Sequence, residues 1–98
     1  YLYHITSLQE WEAAKIKNEY TPQNYEKEGF IHCSIEKQIP GVLDRFYKGQ
    51  KGLVKLKIDK AKVQRPVLFE LAHDLDELFP HIYGPLNLDS VVEVITIS

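Results

Sequence analysis

A chain of 98 residues, 44% hydrophobic and 27% charged, has the composition of one ordinary globular domain, residues 1–98. Twelve basic against 14 acidic side chains leave a formal charge of −2, so the chain lacks the basic surplus of a general nucleic-acid binder, while a nucleotide-sized ligand stays open. A single cysteine, Cys33, cannot staple a fold, and apolar runs of about five residues fall far short of the ~20 that a membrane helix needs, which points to a cytoplasmic protein away from the membrane.

The opening Tyr1-Leu2-Tyr3-His4-Ile5-Thr6 is rich in aromatic and β-branched residues and reads as a short strand. Ser7-Leu8-Gln9-Glu10 has the form of a capping box, with Ser7 able to cap and Glu10 able to reach back. Leu8, Trp11 and Ala14 then recur at helical spacing and predict a helix ending near Asn18-Glu19. Residues 21–28 are polar, contain Pro22 and read as a loop. Residues 29–34 read as a second strand. Ile35, Ile39, Leu43 and Phe46 predict a second amphipathic helix, with Pro40-Gly41 unfavourable in its first turns. Residues 53–59 alternate in period two and form the clearest strand; residues 67–71 and 91–97 are two more. The stretch between them, residues 72–90, reads as a long functional loop carrying Phe79-Pro80-His81-Ile82-Tyr83-Gly84-Pro85-Leu86. Neither helix follows a glycine-rich phosphate fingerprint.

Strand alternation sorts the polar side chains. Leu2, His4 and Thr6 share one face of the first strand, and Phe30, His32 and Ser34 share one face of the second. If the two strands are neighbours, His4, Thr6, His32 and Ser34 converge on one patch able to bond ribose hydroxyls and an amide. The alternative is two unrelated histidines, each satisfied locally. Cys33 falls opposite His32 and reads as a buried, inert thiol. Glu70 interrupts an apolar strand, so it faces solvent at an edge or is aimed into a polar site as a base or a ribose contact. His81 and Tyr83 are the polar groups that packing of the 79–86 segment leaves unexplained. No pair of residues has zinc-ligand spacing, and no metal is expected.

Tyr3-His4-Ile5-Thr6, Trp11, Gly29-Phe30-Ile31-His32-Cys33-Ser34 and Phe79-Pro80-His81-Ile82-Tyr83-Gly84-Pro85-Leu86 together resemble, over nearly the whole chain, the family known as domain of unknown function 952. Its members look like a minimal ADP-ribosyltransferase fold. The resemblance implies an α+β chain with a small, mixed, split sheet and two helices, whose cleft holds NAD. The nearest likeness within that superfamily is to the RNA 2′-phosphotransferases. Their Tyr-His-Gly-Thr pattern is matched by His4 and Thr6, with Ile5 in place of the glycine, and their His-x-His-Leu-Ser pattern by His32 and Ser34. By that resemblance His4 binds the NAD ribose and amide, and His32 lies beside the nicotinamide ribose. Glu70 is the strand carboxylate available to activate an acceptor, with Thr6, Ser34, His81 and Tyr83 lining the cofactor site. No arginine stands in either motif, where a 2′-phosphate would need one. What the resemblance implies is a small-molecule nucleotide partner, NAD or ADP-ribose-like, and a transfer of the ADP-ribosyl or phosphate type. The alternative is a non-catalytic module that binds a metabolite or peptide and has lost the cofactor.

Overall fold

The structure, a computed structural model, describes residues 1–72 and 76–97. Strand β1 (Leu2–Ser7) passes directly into helix α1 (Leu8–Lys17), because Ser7 Oγ accepts the Glu10 backbone N–H at 3.0 Å. Glu10 does not close the expected reciprocal box. Its carboxylate takes the Thr6 hydroxyl at 2.6 Å and the Gln23 N–H at 3.1 Å, tying strand, helix and the following loop together. Asn18 ends α1 in the left-handed region, φ 65°. The stretch expected as loop contains a one-turn helix, α2 (Tyr25–Glu28), closed by Gly29 at φ 83°.

Strand β2 is only Ile31–His32. A 3₁₀ turn, Glu36–Gln38, leads into α3 (Ile39–Phe46), where Pro40 sits in the first turn and its missing N–H leaves no helical bond unmade. Then come β3 (Leu53–Ile58), β4 (Val67–Leu71), β5 (Leu78–Ile82) and β6 (Val91–Thr96).

The sheet is split in two, with orders β1-β3-β6 and β2-β5-β4. Among the described residues every pairing is antiparallel, where a mixed sheet was expected. An isolated bridge, Tyr3 with Ser34, links the two sheets through paired backbone bonds of 2.8 and 2.7 Å.

The largest departure from the sequence reading is β5. It lies inside the segment expected as loop and is the central strand of the second sheet; residues 73–75 of that segment lie outside the described residues. Pro80 obscures the strand in the sequence, since a central strand normally excludes proline. Here the proline fits because it ends the β2–β5 ladder. Its oxygen accepts the Cys33 N–H at 2.9 Å, but it has no N–H to return. One residue later the chain leaves β5, and Ser34 bonds to Tyr3 instead.

The period-two pattern of β3 decides the core. Val54, Leu56 and Ile58 join Leu2, Trp11, Ala14, Tyr20, Ile31, Cys33, Ile82 and Leu86 in the main cluster. On the opposite face Tyr3, Ile5 and Leu53 pack against Ile39, with Val42 and Leu43 of α3 beside them. No helix among the described residues is long and apolar enough to cross a membrane.

Candidate functional site

The second sheet assembles the polar cluster. His32 stands directly opposite His81 in the β2–β5 register, and Leu68 opposite His81 in β4–β5. Glu70, two residues beyond Leu68, therefore sits diagonally across from His81 on the same face, within reach of a side-chain bond. His81 Nδ1 lies 2.8 Å from Glu70 Oε1, and the Tyr83 hydroxyl donates to the same oxygen at 2.5 Å. Across the face, His32 Nε2 lies 2.9 Å from Glu28 Oε2, a carboxylate delivered by the single turn of α2. Two histidine–carboxylate pairs thus confront each other, with ring centroids 5.0 Å apart.

Phe30 packs against both histidine rings. Its ring stacks on His81 at 4.1 Å and 16°, meets His32 edge-on at 4.7 Å and tilts toward Tyr83 at 5.3 Å. The His81 side chain is 3% exposed and forms the floor, while His32 (36%) and Glu70 (38%) form an open rim.

Proton positions follow from the partners. A carboxylate can only accept, so Nδ1 of His81 carries the hydrogen toward Glu70, and Nε2 is the acceptor nitrogen of that Nδ1–H tautomer. That Nε2 is buried and has no hydrogen-bond partner among the described residues. Buried polar atoms are nearly always partnered, so this atom stands out in the fold. The hydrogen bonds from Tyr83 and then from His81 hold the Glu70 carboxyl below its ordinary range, and the same carboxylate pushes the Tyr83 phenol up.

His4 and Thr6 belong to a separate, buried network. His4 Nδ1 is 2.5 Å from the His32 backbone oxygen and Nε2 is 2.6 Å from the Tyr20 hydroxyl. A carbonyl cannot donate, so Nδ1 carries the hydrogen and Tyr20 donates to Nε2. His4 is 6% exposed and Tyr20 1%. Burial drives the His4 pKa down to about 4, only partly offset by the bond to the His32 carbonyl, so the ring is neutral at physiological pH. Burial likewise raises the Tyr20 phenol and the Cys33 thiol.

The expected convergence therefore takes a particular form. His4 meets His32 through the backbone oxygen, while the His32 ring turns toward His81. Thr6 is spent on Glu10, and Ser34 is buried at the bridge to Tyr3. Sequence reasoning joined His4 to His32. It did not foresee the opposition of His32 and His81, nor the parts played by Glu28 and Tyr20. The only signal for Glu28 is its place four residues before His32; nothing in the pattern around Tyr20 marks it. Two cavities, of about 370 and 250 Å³, are lined by none of the histidines. Among the described residues no three His, Cys, Asp or Glu side chains are grouped to hold a metal ion.

Residues 5–94 match the model of the family described as "Protein of unknown function (DUF952)", and the chain belongs to that family. It is similar to protein CC0527 from Caulobacter crescentus, whose crystal structure superposes with a TM-score of 0.88 at 28% identity, covering 99% of this chain and 85% of that one. The solution structure of CC0527 gives a TM-score of 0.85 at the same identity, over 99% and 84% of the two chains. No curated protein matches the chain.

Proposed function

We propose that this member of the family binds the nicotinamide-ribose end of NAD, or an ADP-ribose-like nucleotide, over the face formed by Phe30, His32, Glu70, His81 and Tyr83, and that it transfers ADP-ribose. The reading rests on the sequence resemblance to a minimal ADP-ribosyltransferase and on one structural observation, the buried Nε2 of His81, without a partner among the described residues, in a cluster of two histidine–carboxylate pairs.

The donor set suits that end of the molecule. Nicotinamide in NAD carries positive charge, which aromatic faces and the carboxylates Glu28 and Glu70 attract. The bare Nε2 accepts from a ribose hydroxyl. No arginine belongs to the cluster, so the pyrophosphate lies outside it. Bound NAD would supply an activated ribose–nicotinamide bond, whose cleavage places positive charge on the ribose. Glu28 and Glu70 are placed to stabilise that charge, and the imidazoles to take the acceptor's proton. Because Phe30 covers His81, occupancy requires its ring to move aside, and Gly29 in the left-handed region is the adjoining pivot. His4 acts here as a positioning residue through its bond to the His32 carbonyl.

A second reading, a non-catalytic module holding a metabolite or a peptide on the same face, is favoured by the enclosure of His4 behind Tyr20. The two readings separate on turnover. Titration with NAD and with ADP-ribose, followed by backbone amide shifts, should give saturable changes at Phe30, His32, His81 and Tyr83 that vanish in folded His81→Ala. Release of nicotinamide would assign transfer, and binding without release would assign the module. No shifts with either nucleotide at millimolar concentration would overturn the nucleotide reading and leave the metabolite- or peptide-binding module.

A further inference from the structure

The larger cavity, about 370 Å³, is built where three segments meet: the end of α1, the approach to β4 and the turn after β5. Asn18, Glu19, Gln64, Arg65, Asn87 and Asp89 line it. Two devices fix its walls. Tyr20 and Leu86 exchange backbone bonds of 3.0 and 2.9 Å, which clamps Glu19 beside the turn after β5. Asn87 accepts the Gln64 N–H at 3.1 Å and donates to the Lys62 oxygen at 2.8 Å and to Asp89 at 2.6 Å, which clamps the approach to β4 against the same turn.

Arg65 is held as well. Its aliphatic arm lies over Gly84, so close that a Cβ there would stand 2.6 Å from Arg65 Cδ. Among the described residues the side chains of Asn18, Glu19, Gln64 and Arg65 make no hydrogen bond or ion pair, although all four border one cavity. Glu19 and Arg65 in particular do not pair with each other. The wall carrying Glu19 also receives the C-terminal carbonyls of the ten-residue helix α1, which favour positive charge. The opposite charge sense comes from the guanidinium of Arg65, a fork suited to a carboxylate.

We propose that this cavity is a binding site for a small zwitterion, an α-amino acid, with its carboxylate on Arg65 and its ammonium between Glu19 and the end of α1. The site is separate from the histidine face and does not depend on what that face binds. The volume accommodates one amino acid, and the amides of Asn18 and Gln64 are free to bond its side chain. The bonds that clamp the three segments reduce the ordering cost of the main chain on binding.

The test is an amide-shift titration of the intact chain with L-alanine, L-serine and L-glutamine, alongside N-acetyl-L-glutamine and L-glutamine amide as blocked controls. Saturable shifts at Asn18, Glu19, Arg65 and Asn87 with at least one free amino acid are expected. Blocking either end should weaken binding about tenfold or more, as loss of a charge-assisted bond predicts. Arg65→Gln should erase the penalty for amidation, and Glu19→Gln the penalty for acetylation; both positions are exposed, so the variants keep the fold. No saturable shift with any free amino acid at 10-millimolar order would overturn the proposal. So would equal binding of the acetylated form, which would mark a plain anion site.

Discussion

The His4 network makes the stability of the fold depend on pH in a calculable way. The ring titrates near 6.5 in the unfolded chain and near 4 in the folded one, because burial disfavours the imidazolium. Between those two values the unfolded state binds a proton that the folded state refuses, so stability rises with pH across that window. The contribution is complete above about pH 6.5 and is lost as pH falls toward 4. At roughly 1.4 kcal/mol per pH unit, the whole loss is about 3 kcal/mol, of which about 2 kcal/mol is gone by pH 5. That is a large part of the 5–15 kcal/mol typical of a small domain. Glu70, with its lowered pKa, contributes in the same direction only at lower pH, as the carboxylates begin to protonate.

Urea unfolding at pH 7.5, 6 and 5 measures the window. His4→Asn removes the titrating ring and keeps an amide donor near the position of Nδ1, so its stability should change by about 2 kcal/mol less over that range. Parallel pH profiles for the two proteins would refute the reasoning. So would an NMR midpoint near 6.5 for the His4 ring of the unaltered chain, a readout that holds even if the variant fails to fold.

Gly84→Ala meets both a positive φ of 149° and the Arg65 arm, and should cost about 1–3 kcal/mol in thermal or urea unfolding. Adding Arg65→Ala should recover only the packing part of that loss; complete recovery would show that the backbone conformation is unstrained. Tyr83→Phe removes the larger of the two hydrogen bonds that depress the Glu70 carboxyl, so its midpoint in carboxyl NMR should rise toward the ordinary glutamate value. An unchanged midpoint would mean that His81 alone holds the carboxylate.

Legibility in the sequence followed the strength of local physics. Alternation in β3, the apolar run of β4 and the Ser7 cap on α1 are short-range patterns that tertiary context reinforces, and these elements stand where the residues put them. β5 was hidden because Pro80 breaks the local rule for central strands, and only the departure of β2 toward β1 makes that break harmless. The two-residue β2 is cut short for the same reason. At the site, alternation placed His32 opposite Cys33, and Cys33 duly enters the core. The pairing of His32 with His81 depends on a register between strands far apart in the chain, which no local pattern encodes. Glu28 lay in a polar stretch without periodicity, and the turn that brings it to His32 is only four residues long.

Long-range ¹H–¹⁵N NMR of the imidazoles at pH 8, with and without NAD, tests the central claim most directly. The account predicts that His81 shows a protonated Nδ1 and a bare Nε2 in the free chain, and that Nε2 moves toward a hydrogen-bonded value, saturably, as the nucleotide is added. A His81 Nε2 resonance unmoved by saturating NAD, or one already protonated at that pH, would contradict it.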